Sequence, residues 1–295
     1  MIGTTGATGE VGGRLARRLA ERDIQQRLIV RDVSRAPDLR DAEVIEFGGY
    51  TDPEGMRRAF TGISTLFLVS AREAADRVDQ HKAAVDAAVA AGVERIVYLS
   101  FIGAAADATF TFARDHFRTE EHIRKSGLAF TFSRQNLYMD LLPVLGGKEG
   151  VIRGPAGDGR VAPVLRDDVA DAITTMLTEP GHDGTTYELT GPDMLTLGEV
   201  AALLSEFSEQ TVVYENETVE EARASRAGYG APAWEVEGWI TTYTAIAAGE
   251  LDVVTDHVAR LTGHEPVSVR EFLWIPRAAP KSTARKKTTR RKTSA

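Results

Sequence analysis

The sequence predicts an α/β protein: a doubly wound parallel sheet, a smaller α/β C-terminal lobe and a disordered basic tail. Three observations carry this reading. Short β-branched runs alternate with helical patterns through the first 135 residues. Glycines recur at every third position between the first strand and the first helix. Past residue 136 the rhythm gives way to Gly- and Pro-rich stretches such as "GGKEGVIRGPAGDG" and to longer helical patterns. The chain thus divides into a sheet domain over 1–135, to which segments at about 160–190 return, a lobe over 136–277, and a tail over 278–295.

The elements follow in order. "MIGTT" reads as a strand, after which Val11, Leu15 and Leu19 recur at helical spacing while Arg14, Arg18 and Arg22 take another face. "RLIV" is the second strand. In "DPEGMRRAF", Asp52 caps a short helix with Pro53 at its first position. "STLFLVS" is apolar on both faces, as a central parallel strand is. An Ala-rich helix over 73–91 closes at Gly92, "RIVYLS" follows as a strand, residues 115–125 form a polar helix, and "LAFTFSR" is one more strand. Such alternation implies right-handed crossovers and helices on both faces of the sheet. Beyond residue 136, "TTYELTG" and "QTVVYE" are further strand candidates, and Trp234, Trp239 and Tyr243 read as one helical face.

Composition excludes several functions. The chain has no Cys, which removes disulfides, thiolate metal sites, iron–sulfur clusters and cysteine nucleophiles together. No apolar run approaches bilayer length and no secretory signal opens the chain, so a soluble cytoplasmic protein with no membrane contact is expected. The net charge of −8 is a body of −15 and a tail of +7. The acidic body repels phosphate backbones, whereas the tail, through 281–292, could touch a polyanion weakly or fold loosely onto the body. Nothing in the pattern fixes an oligomeric state.

The glycines have a specific use. Gly6 supplies the freedom for a tight strand-to-helix turn, Gly9 lets a pyrophosphate approach the helix's N-terminal amides, and Gly12 lets the helix pack close to the sheet. This is the dinucleotide-binding turn of a Rossmann-type sheet. At the end of the second strand, "LIVRDVSRAPDL" places Arg31 where a guanidinium can pair with a 2′-phosphate. Asp32 beside it would suit the bare ribose of NAD. NADP(H) is the favoured cofactor and NAD(H) the alternative.

Absences are equally informative. Many enzymes of this fold reduce carbonyls with a Tyr-x-x-x-Lys pair, and none of the seven Tyr here is followed by such a Lys. Ser100 occupies the place of the usual helper serine, but Phe112 stands where the Tyr would be, with His116 four residues on. Phe donates no proton, so alcohol–ketone interconversion is not expected. The six His form no metal set: His116 and His122 are six apart and no His-Glu-x-x-His occurs. Nothing has the pattern of a nucleophile elbow or a Walker loop.

"GATGEVG", "VRDVSRAPDL", "QHKAAVDAAVAAGVERIVYLS", "HFRTEEHIRKSGLAFTFSRQNLYMD", "YELTGPDMLTLGEVAALLSE" and "RLTGHEPVSVREF" together resemble the NmrA-like branch of the atypical short-chain dehydrogenase/reductases. Within it the sequence is most similar to the bacterial type-2 NAD(P)H:quinone oxidoreductases. The resemblance covers about residues 1–273. It implies NADP(H) in the cleft of a Rossmann domain, the pyrophosphate loop on Gly6, Thr8, Gly9, Glu10, Val11 and Gly12, the 2′-phosphate contact on Arg31, and Val69 and Ser70 beside the cofactor. "RQNLYMD" would set Asn136 and Tyr138 near the nicotinamide. Two positions depart from many relatives: Thr119 replaces a Lys in the helix after "HF", as in the quinone-reductase group, and Gly49 replaces an Asp expected to hold the adenine.

The resulting expectation is an NAD(P)H-dependent oxidoreductase that passes hydride to a quinone or similar conjugated acceptor without flavin or metal. A quinone is already electrophilic, so it needs a flat apolar slot near the nicotinamide more than an acid–base residue. Tyr138, Met139, Trp234 and Tyr243 could line that slot. Tyr138 and His116 are the candidate catalytic groups. The alternative is a non-catalytic NADP(H)-binding redox sensor acting on a regulatory partner.

Overall fold

Ile2–Thr5 is buried along its whole length, as a strand covered on both faces must be. The computed structural model describes residues 1–274; the basic tail expected over 278–295 lies outside the described residues. The first half contains strands β1 (Ile2–Thr5), β2 (Gln26–Val30), β3 (Ala42–Glu46), β4 (Thr65–Leu68), β5 (Arg95–Phe101) and β6 (Ala129–Gln135). Helices α1 (Glu10–Glu21), α2 (Pro53–Phe60), α3 (Arg77–Ala90) and α4 (Thr111–Lys125) alternate with them. In the second half come α5 (Leu142–Leu145), β7 (Val151–Gly154), β8 (Arg160–Val161), α6 (Arg166–Thr178), β9 (Thr185–Leu189), β10 (Leu195–Thr196) and α7 (Leu197–Phe207). They are followed by β11 (Val213–Asn216), α8 (Val219–Arg226), α9 (Ala233–Ala247), α10 (His257–Thr262) and α11 (Val269–Trp274).

Seven of the strands form one parallel sheet in the order β3-β2-β1-β4-β5-β6-β9. The order reverses direction between β1 and β4, and a crevice opens outside the strands' carboxyl ends at such a switch point. On one face α1 and α6 pack through Leu15, Leu19, Val169, Ile173 and Met176. On the other, α2, α3 and α4 contribute Met56, Phe60, Val85 and Ile123. A third core joins Phe101, Phe110 and Phe112 to Ile152, Val200, Leu204 and Ile246, all from the lobe side of the strand ends. Outside the main sheet, β11 pairs with β7 and β10 with β8.

The strand in "TTYELTG", in the stretch at about 160–190 expected to return to the sheet domain, joins the main sheet beside β6. Other local expectations shift. The helix expected from residue 73 begins at Arg77, and two α3 side chains, His81 and Arg77, bond the N–H and the carbonyl of Ala71 ahead of it. The helix expected over 115–125 begins four residues earlier, at Thr111. β3, an edge strand with half-exposed alternating residues, left too weak an apolar signal to be read. Trp234, Trp239 and Tyr243 do share α9, but they do not form one face. Five residues turn a helix by about 140° beyond a full turn, so Trp234 points away from the other two.

Candidate functional site

α1 begins at Glu10 behind Gly9, whose extended backbone (φ −95°, ψ 178°) offers no side-chain cap. The first amides of the helix therefore have no intrahelical partner, and they face open space at the positive end of the helix dipole. Gly6, at φ +65°, makes the turn that a Cβ would strain. A Cβ on Gly12 would collide with the Gly6 carbonyl oxygen, so only glycine lets α1 sit this close to the strand end. The result is a cradle of bare amides that fits a diphosphate.

The cradle opens into a cavity of about 420 Å³ across the ends of β1, β2 and β4. Gly6, Thr8, Gly9, Glu10, Val11, Gly12, Arg31, Val69 and Ser70 all line it. Arg31 forms no ion pair among the described residues and borders the cavity beside Gly49. Asp32 is engaged elsewhere: its Oδ1 accepts the Ser34 N–H at 3.0 Å and the Ser34 hydroxyl at 2.6 Å, capping the turn Val33–Arg35. Those bonds hold its carboxyl below the usual range.

Asn136 is not brought to the cavity. Its side chain is fully buried, donating to Leu251 O at 3.2 Å and accepting the Leu137 N–H at 2.8 Å. It ties the end of β6 to the loop after α9. Tyr138, two residues on, does reach the cavity.

Sequence reasoning missed several residues here. Tyr50 donates to Val69 O at 2.6 Å and lies 2.9 Å from Thr5 Oγ1, clamping the crests of β1 and β4. Arg166 opens α6, lines the cavity, and places its guanidinium 4.4 Å from the centre of the Tyr138 ring. Arg72 and Gln80 line it as well. No short-range pattern marks Arg166; it reaches the cleft only because α6 packs beside α1.

Tyr138 also lines a second cavity, of about 560 Å³. Its walls are largely apolar and include Leu137, Leu142, Trp239, Tyr243 and Ile246. Tyr138 is thus the wall shared by both cavities, and its hydroxyl has no hydrogen bond among the described residues. Burial pushes the phenol's pKa up, with Arg166 working against that. Two of the residues expected in the acceptor slot are elsewhere. Met139 is completely buried in the lobe core. Trp234 packs edge-on against Phe112 at 6.2 Å.

The region where a Tyr and its helper serine would stand is closed. Ser100 is buried and donates to Glu120 Oε1 at 2.6 Å, and Glu120 in turn receives Arg134 and Arg124. Phe112 fills the space against Gly238, where even a Cβ would meet its ring. His116 is buried, 2.9 Å from the Tyr98 hydroxyl and 3.3 Å from an Arg77 nitrogen, and lines neither cavity. Burial and the Arg77 charge keep it neutral. As a buried, engaged side chain it is out of reach of a ligand in either cavity.

Among the described residues, Asp168, Asp171 and His264 approach closely enough to suggest a cation. They lie outside both cavities, and Asp168 already accepts the Val267 N–H while Asp171 pairs with Arg18. Among the described residues no helix is long and apolar enough to cross a membrane.

Comparison with known proteins shows the family. Residues 6–180 match the family model described as NAD(P)H-binding. An NAD(P)H azoreductase of Xenophilus azovorans is 30% identical over 92% of this chain and 96% of its own. The crystal structure of an NADPH-dependent quinone oxidoreductase of Escherichia coli complexed with NADPH superposes with a TM-score of 0.84, at 30% identity over 92% of this chain and 98% of that one. A Citrobacter triphenylmethane reductase complexed with NADP(H) gives 0.82, at 33% identity over 92% and 99%.

Proposed function

The chain belongs to the NAD(P)H-binding family, and from that premise we propose that it is a reductase of the NmrA-like group, delivering hydride from NADPH to a quinone or similar conjugated acceptor. The observation that carries the reading is Tyr138, one wall common to the dinucleotide cleft and the apolar cavity.

The cofactor's fit rests on the uncapped start of α1 and the Gly6–Gly9–Gly12 turn, whose bare amides meet a diphosphate. Arg31, with no carboxylate partner among the described residues, is the group for a 2′-phosphate, and Asp32, held by its own turn, offers the free ribose little. Both facts favour NADPH over NADH. Once bound, the reduced nicotinamide supplies a hydride. Leu137, Leu142, Trp239 and Tyr243 exclude water and hold a flat ring in the second cavity. The free Tyr138 hydroxyl donates a hydrogen bond to the acceptor oxygen that gains charge. With Ser100, Phe112 and His116 locked in the core, that is the polar assistance the reading requires.

The test is oxidation of NADPH followed with a panel of quinones. Turnover supports the reductase. Cofactor binding with no turnover of any acceptor would make the protein a redox sensor instead.

A further inference from the structure

Tyr229 is the most exposed of the aromatic residues lining the second cavity, at 71%. It sits on the connection between α8 and α9, in the stretch "RAGYGAP", directly between Gly228 and Gly230. Gly230 adopts φ +66°, and a Cβ added at either glycine would meet nothing within 4 Å. The backbone on either side has open space around it, and Tyr229 closes the short 3-10 turn Ala227–Tyr229. The ring meets Trp239 edge-on, with centroids 6.0 Å apart and planes at 65°. Trp239 itself is a wall of the cavity. Leu141, 42% exposed, belongs to the same lining. An exposed tyrosine in this position contributes little to the core. Most of its surface is open to solvent.

We propose that Tyr229 is the aromatic clamp of the acceptor cavity, a specificity-determining residue that closes over planar acceptors of two or more fused rings and stacks on the ring left uncovered by Trp239. The inference rests on the reductase reading above. A single-ring acceptor fits within the walls formed by Leu142, Trp239 and Tyr243 and gains little from the clamp. A fused-ring acceptor extends toward the mouth, where Tyr229 covers it. Offset or edge-to-face aromatic pairing then adds attraction beyond area burial. Stacking uses the ring of Tyr229 and not its hydroxyl.

The experiment compares the native protein with Tyr229→Ala and Tyr229→Phe, using 1,4-benzoquinone and 1,4-naphthoquinone as acceptors with NADPH. The exposed site makes the alanine variant a folding-neutral change, checked by an unaltered near-UV circular dichroism spectrum and NADPH affinity. Tyr229→Ala is expected to raise KM for naphthoquinone by about tenfold, with kcat and the benzoquinone KM within about twofold, while Tyr229→Phe behaves as the native protein. Equal KM ratios for the two quinones in native and alanine forms overturn the clamp. Calorimetric titration with naphthoquinone alone separates this from failure of the underlying reading. If the native protein oxidises no NADPH, the reductase reading falls, yet about tenfold weaker naphthoquinone binding by Tyr229→Ala still supports the clamp. Equal binding, or no binding by the native protein, overturns it.

Discussion

The Nε2 atom of His81 accepts the backbone N–H of Ala71 at 2.7 Å. One buried imidazole thereby fixes the floor of the dinucleotide cleft, because Ala71 lines that cavity and its carbonyl is held from the other side by Arg77 Nε at 2.9 Å. With Nε2 accepting, the His81 proton lies on Nδ1 and is donated to Thr119 Oγ1 at 2.8 Å. Arg77 likewise donates to Nε2 of His116, whose Nδ1 proton goes to the Tyr98 hydroxyl. Both rings must stay neutral for this network to exist.

That requirement makes stability depend on pH. Burial lowers the pKa of His81 to about 3 and moves His116 the same way, whereas unfolded histidines titrate near 6.5. Below about pH 6.5 the unfolded chain binds protons that the folded chain refuses, so stability falls as pH falls. Each such histidine contributes a loss of up to about 2 kcal/mol between pH 6.5 and pH 5. Urea titrations at the two pH values measure it, and His81→Gln, which keeps an acceptor for the Ala71 amide, is expected to flatten the dependence.

Glu120 is completely buried, where Arg134 meets it at 2.6 and 2.8 Å and Ser100 adds a third bond. Removing the carboxylate leaves Arg134 without that partner in a half-buried site. Glu120→Ala is predicted to lower unfolding free energy by about 3–5 kcal/mol, read from urea midpoints, with a much smaller effect from Arg124→Ala on the exposed side.

Arg31→Ala should weaken NADPH binding by about tenfold or more and leave NADH binding unchanged, as the proposed pairing of its guanidinium with the 2′-phosphate requires. Asp32→Ala should leave the ratio of the two affinities nearly unaltered, because that carboxylate caps Ser34. Calorimetric titrations with both nucleotides give the four numbers. A native protein that binds the two equally contradicts the assignment of Arg31.

Gly12→Ala drives a methyl group into the Gly6 carbonyl. The helix must shift off the strand end, costing about 1–3 kcal/mol and widening the amide cradle. Thermal denaturation with and without NADPH should reveal lower stability and a smaller shift on adding nucleotide.

Much of the cleft was legible because its signals are local. Glycines three apart between a strand and a helix, and an Arg at the end of the second strand, need only a few residues of context. What was not legible depends on distant partners. Asp32 looked available to a ribose until Ser34 was seen to hold it, and Asn136 looked like a cofactor ligand until Leu251 O engaged it. Arg166 comes from a helix more than 130 residues beyond the second strand. The His81–His116–Tyr98 network joins three elements and leaves no spacing pattern. Trp234 was misplaced for a simpler reason: a five-residue step changes helix faces.

Tyr138→Phe should reduce kcat for quinone reduction by about tenfold while leaving NADPH affinity unchanged, as expected when a bond made in the transition state is lost.

The most direct measurement of the central claim is a single-turnover experiment: NADPH bound to the protein in stoichiometric amount, mixed rapidly with 1,4-naphthoquinone, with nicotinamide absorbance followed. Neighbouring cavities that share Tyr138 as a wall predict complete oxidation of the bound NADPH in one protein-dependent phase, slowed in Tyr138→Phe. Bound NADPH that persists at the rate seen without protein would contradict the account.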